Sequence, residues 1–134
     1  MKIKAMTIPE LWRLARRLQE GGHFNKDAHG NSRSLDFGER EDGPDDASSW
    51  WGTLPVSHFD DDTWLVGYFG GGNTVAVDIS DDPTEDEKEE RFVEAVRGLL
   101  DVEKHPDYEV YVDADHIPAK YFVNLEKNFT PDQE

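Results

Sequence analysis

Cysteine is absent from this 134-residue chain. That removes disulfides, thiolate zinc ligands, iron–sulfur clusters and thiol nucleophiles, and ties the protein to neither a reducing nor an oxidising compartment. Positive charge is scarce: 14 Lys and Arg face 30 Asp and Glu, a formal net charge of −16. A field of that sign repels nucleic acid and anionic lipid, which argues against direct DNA or RNA binding and polybasic membrane attachment, while it steers basic proteins inward. No apolar run approaches the roughly 20 residues that span a bilayer. The start, Met1-Lys2-Ile3-Lys4-Ala5-Met6, has no apolar signal core. The expectation is a soluble, cytoplasmic protein.

Apolar residues make up only 36% of the chain, but 7 Phe, 4 Trp and 4 Tyr are more than a solvating tail carries, so a folded core is expected. At this length one core burying roughly two-thirds of the unfolded surface is the rule, giving a single acidic domain over residues 1–134. The charge is uneven. Residues 1–40 carry a net +3 and residues 41–134 a net −19. Two blocks concentrate the acid. Residues 41–62 contain Glu41, Asp42, Asp45, Asp46, Asp60, Asp61 and Asp62 with no Lys or Arg; residues 81–90 contain Asp81, Asp82, Glu85, Asp86, Glu87, Glu89 and Glu90 against Lys88 alone.

Thr7-Ile8-Pro9-Glu10 has the spacing of a capping box, with Pro9 where a missing N–H is harmless. A basic amphipathic helix over 7–21 follows, with Ile8, Leu11, Trp12, Ala15 and Leu18 as its apolar stripe and Gly21-Gly22 as its stop. Its Arg13, Arg16 and Arg17 read as a solvated face or as partners for the chain's own acidic blocks, with Arg16 and Glu20 an available pair. Residues 23–49 are polar and Gly-rich without periodicity and read as a long loop, anchored at most by Leu35 and Phe37. Residues 50–59 are aromatic but interrupted by Gly52 and Pro55, and any strand there is assigned to an edge. Residues 64–69 and 74–79 read as a hairpin about Gly70-Gly71-Gly72-Asn73. Asp82-Pro83-Thr84-Glu85 repeats the helix-start pattern with Asp82 as cap, predicting a second helix over 83–100 whose early turns are acidic and whose core face lies in its later half. Residues 108–113 and 121–125 read as strands, and the tail from 130 as frayed. The predicted fold is therefore α+β, in the order α-β-β-β-α-β-β, with two helices on one face of a mostly antiparallel sheet of four to five strands.

No specific catalytic motif is present. There is no Gly-x-Ser-x-Gly, and the Gly70-Gly71-Gly72 run lacks the Lys-Ser/Thr of a phosphate-binding loop. No cofactor is implied. What stands out is acid beside large aromatics: Asp45 and Asp46 precede Trp50 and Trp51, and Asp60, Asp61 and Asp62 precede Trp64. Adjacent Trp50 and Trp51 in an extended segment would face opposite sides, and amphipathic rings beside carboxylates are typical interface anchors. These residues, with Asp81, Asp82, Glu85, Asp86, Glu87, Glu89 and Glu90, form the expected partner-binding set. The expected function is non-enzymatic. An acidic protein would occupy the basic, nucleic-acid-binding surface of a partner protein or complex, in the manner of nucleic-acid mimics, phage anti-defence inhibitors or toxin-immunity proteins. The competing class is a metal-dependent hydrolase or metal-binding domain that gathers His58, Asp60, Asp62, Asp113, Asp115 and His116, since hard cations take carboxylate oxygens. A structural subunit whose acid serves solubility alone is the third.

Overall fold

A computed structural model of the chain describes residues 2–25, 27–30, 33–39, 51–54, 63–68, 74–100 and 109–127. The expected sites at Asp45, Asp46, Trp50, His58 and Asp60 to Asp62, the Gly70–Gly72 turn and the tail from 130 lie outside these residues. So does the side chain of Trp51.

The fold is α+β, with two helices packed against one antiparallel sheet. In chain order the elements are β1 (Ile3–Thr7), α1 (Ile8–Glu20), β2 (Leu35–Gly38), β3 (Trp51–Leu54), β4 (Thr63–Tyr68), β5 (Thr74–Asp78), α2 (Glu85–Leu100) and β6 (Glu109–Asp113), followed by a 3-10 turn at Ala119–Phe122. The six strands lie in the order β1-β6-β2-β3-β4-β5, with every neighbouring pair antiparallel.

Two strands were not legible in the sequence. β1 carries a mixed run, Ile3-Lys4-Ala5-Met6-Thr7, and passes into α1 without a linker, so its two-residue period is masked by the helical pattern that follows. β2 lies inside the segment read as loop. Four residues bounded by polar flanks give little period to detect, yet Leu35 and Phe37 are completely buried and alternate with half-buried Asp36. β3 is an interior strand, not the expected edge: it lies between β2 and β4, and the Pro55 on which the edge assignment rested lies outside the described residues. Gly52 sits opposite Phe37 in the β2–β3 ladder. The strand expected over 121–125 is instead the 3-10 turn and the bend after it. Pro118 starts the turn, Asn124 adopts a left-handed backbone at φ 58, and Leu125 is tucked into the core.

The register sorts most side chains between two faces, with the exposed Lys4 on the same face as Met6. Met6, Val110, Val112, Leu35, Phe37, Leu54, Trp64, Val66 and Val77 are buried on the helix side. Above them the aromatic centre joins three elements: Trp12 of α1 lies 5.1 Å from Trp64 of β4 and 5.0 Å from Phe92 of α2, ring centre to ring centre. Phe24, just past α1, meets Trp64 edge-on at 5.9 Å. Tilted and edge-on contacts at these spacings suit the ring quadrupoles and add to the burial of large apolar area.

The capping box at α1 forms as the sequence indicates. The Thr7 hydroxyl accepts from the Glu10 N–H at 3.2 Å and the Glu10 carboxylate accepts from the Thr7 N–H at 2.9 Å. At α2 the cap lies two residues beyond the expected one. Asp82 has a left-handed backbone, φ 57, which an N-cap does not adopt. Thr84 does the capping: its hydroxyl accepts from the Glu87 N–H at 3.2 Å, and Glu87 returns the bond to the Thr84 N–H at 3.1 Å. Thr84→Ala is therefore expected to cost about 1 kcal/mol in denaturant unfolding. Asp82→Gly is expected to be neutral or stabilising, because glycine accepts positive φ without strain. The reverse ranking would restore Asp82 as the cap.

Candidate interaction surface

Helix α1 has three arginines on its flanks, and the structure spends all three internally. Arg13 grips Glu89 of α2 through two bonds, Nε to Oε1 at 2.9 Å and Nη2 to Oε2 at 3.1 Å, and its Nη1 donates to the Leu125 carbonyl at 3.0 Å. One turn on, Arg16 holds Glu85 through Nε at 3.2 Å and Nη2 at 2.6 Å, donates to the Gln19 side chain, and lies over the Trp12 ring. Arg17 faces the other way and donates to the carbonyls of Tyr121, Val123 and Asn124. Burial lowers the Arg17 pKa, an effect opposed by Glu126. Arg16 therefore pairs with the distant acidic block rather than with Glu20.

These contacts divide the 81–90 block. Glu85 and Glu89 face α1, and Glu85 also takes Lys88 at 3.2 Å. Asp81 is held by Arg91 in a two-pronged pair at 2.7 and 2.9 Å, while the same guanidinium donates to the Asp78 carbonyl at 2.9 Å. Glu87 is occupied as the return half of the cap. Hydrogen bonds hold three carboxyls below their ordinary pKa range: Arg91 for Asp81, the Ser80 side chain and N–H for Asp78, and the Thr84 N–H for Glu87. Asp81 in turn raises the Arg91 pKa.

The outward side of α2 is different. Asp86, Glu90 and Glu94 are exposed and recur every four residues, which places them on one ridge with carboxylates about 6 Å apart along the axis. Glu94 was not singled out from the sequence because it lies past the dense block; its spacing from Glu90 was the available signal. Arg91 was also missed. Its role depends on the Ile79–Asp82 turn, closed by the Asp82 N–H on the Ile79 carbonyl at 3.3 Å, which brings Asp81 back toward the helix.

The described part of the alternative metal set does not converge. Asp113 accepts from the Asp115 N–H at 3.0 Å, Asp115 accepts from the Lys2 N–H, and His116 is exposed. These carboxylates close the turn after β6, and among the described residues no three His, Asp or Glu side chains gather around a common point. The remaining members, His58, Asp60 and Asp62, lie outside the described residues.

On the sheet face away from the helices, Asp36 is half-buried in β2. Its pKa is raised first by burial and further by the Asp113 charge, against a lowering bond from Ser34 at 3.1 Å. No protein family matches the chain, and no curated protein or solved structure resembles it.

Two outcomes follow from these contacts. A double-mutant cycle on Arg13→Met and Glu89→Gln, read by urea unfolding, is expected to give a coupling of about 1–2 kcal/mol, because the pair is two-pronged and largely shielded from solvent. A coupling near zero would make it an ordinary surface pair. Stability should also respond to pH with opposite signs at two sites. The lowered pKa values of Asp78, Asp81 and Glu87 stabilise the fold above their unfolded values, and this is lost as pH falls through the folded ones. The raised pKa of Asp36 makes its ionisation a cost at neutral pH that begins to shrink as pH falls through the folded value and is gone below the unfolded one. Asp36→Asn is thus expected to raise the melting temperature at pH 7 and to lose that advantage in acid, whereas Asp81→Asn should lower it at pH 7 and flatten the acid limb.

Proposed function

We propose that this protein is a non-enzymatic acidic binding protein that occupies a basic, nucleic-acid-binding surface of a partner, as an inhibitor or immunity protein does. The observation that carries this reading is the division of the acid on α2. Glu85 and Glu89 on its inner flank are neutralised by α1, while Glu90 and Glu94, with the exposed Asp86 one turn before them, line its outer side on a chain of net charge −16. The row lies on the helix face that solvent reaches, open to a partner, and it costs self-repulsion in the folded state. Magnitude sets a limit on what α2 does alone. A duplex presents one phosphate per about 3.4 Å of each strand, against one carboxylate per about 6 Å on this ridge. The helix therefore steers and orients a basic groove, and the acid of residues 41–62 supplies the remaining charge.

The test is competition. The protein is used to capture a nucleic-acid-handling partner from a host extract, and duplex DNA is then titrated against the purified pair. Displacement by DNA is expected, together with at least a tenfold fall in association rate for a variant carrying Asp86→Asn, Glu90→Gln and Glu94→Gln. That variant leaves both arginine pairs intact. Simultaneous binding of DNA and protein to the partner, or an unchanged association rate, would sink the proposal.

A further inference from the structure

The two edges of the sheet differ. β1 carries Lys4, whose Nζ lies 4.8 Å over the Phe122 ring, and its flank is tied down by the Ala114 N–H on the Lys2 carbonyl at 2.7 Å. A lysine on an outer strand is a common guard against unwanted pairing. β5, at the opposite edge, reads Thr74-Val75-Ala76-Val77-Asp78 and has no Pro, Gly, Lys or Arg. All five residues are in register with β4, so the strand is regular. Among the described residues no further strand lies beyond it, and the backbone of residues 74–77 makes no hydrogen bond outside the sheet. Thr74, Ala76 and Asp78 are exposed, while Val75 and Val77 face the helix side. The charge beside this edge has one sign: residues 74–82 hold Asp78, Asp81 and Asp82 and no Lys or Arg. Arg91 reaches its end but is committed to Asp81 and the Asp78 carbonyl.

We infer that the outer edge of β5 accepts an extended segment of a basic partner as a seventh strand, with alternating basic and apolar residues. Main-chain hydrogen bonds along an open edge provide affinity without sequence demand, and the period of two provides the selectivity. Basic side chains of the segment fall beside Asp78 on the exposed face, and apolar ones fall beside Val75 on the other. A second copy of this chain is the wrong occupant, because pairing would bring together two bodies of net charge −16. The inference rests on the proposed acidic binding function and names the partner's form.

Two nine-residue peptides of alternating Lys and Val test it, one unmodified and one N-methylated at every residue, which keeps the charge and removes the main-chain donors of both strand edges. Binding to the full chain is followed by amide NMR and hydrogen exchange. The unmodified peptide is expected to bind at least tenfold more tightly and to slow exchange at residues 74–78. Ala76→Lys, which places a lysine on the edge, should abolish that preference, whereas Glu109→Gln, at an exposed residue of β6 and with an equal change of net charge, should retain it. Equal binding of both peptides would overturn the edge and leave the acidic reading standing. Failure of both peptides to bind at low salt would overturn the two together. Self-association that Ala76→Lys removes would make a second copy the occupant and overturn the basic segment.

Discussion

The arginine row of α1 is the constraint on which the rest of the structure depends. A guanidinium offers five donors in a rigid fork, and two of these forks are seated on α2 carboxylates while a third collects main-chain carbonyls. Arg13 does both, joining Glu89 to the Leu125 carbonyl. One helix thus fixes the angle of its neighbour and the path of residues 119–127, a segment with no sheet partner of its own. The aromatic centre beneath supplies the larger burial term, but apolar contact is not directional. Direction comes from the arginines.

This use of charge explains why so acidic a chain can fold without a large self-repulsion at its most acidic helix. The early turns of α2 favour acid for two reasons, the positive end of the helix dipole and the basic flank of α1. Carboxylates on the inner flank satisfy both, and those on the outer flank satisfy only the first. The surplus is therefore directional as well as large, and a basic partner approaching α2 meets a field that α1 has already shaped.

Much of the architecture was legible in the sequence. Thr7 and Glu10 announced the first helix, alternation at Val75, Val77 and Ile79 announced β5, and pairing with the chain's own acid, which Arg13 and Arg16 make and Arg17 does not, was one of two roles the charge distribution allowed. The failures share a cause, which is that nonlocal contacts decide short segments. β2 is a strand because two neighbours pair with it, and four residues cannot advertise that. Residues 121–125 have strand composition, but Arg17 takes carbonyls that a ladder would have used. At α2 both Asp82 and Thr84 are good caps locally, and the turn that seats Asp81 on Arg91 decides between them. The acidic set was legible as composition, whereas its division into inner and outer flanks needed the helix packing.

The placement of β1 has a consequence for the order of assembly. Its strand neighbour is β6, which also stands between β1 and β2, while β2 to β5 follow one another along the sheet. The consecutive hairpins close over short separations, but β1 must wait for a strand more than a hundred residues away. During synthesis, the earliest of the described strands is the one whose partner is made after the other described strands. α1 follows β1 without a linker, so the helix that organises the fold through its arginines is tethered to a strand with nothing yet to pair with. Removing residues 109–113 would therefore leave not a shorter sheet but a β2 to β5 meander cut off from its own first strand.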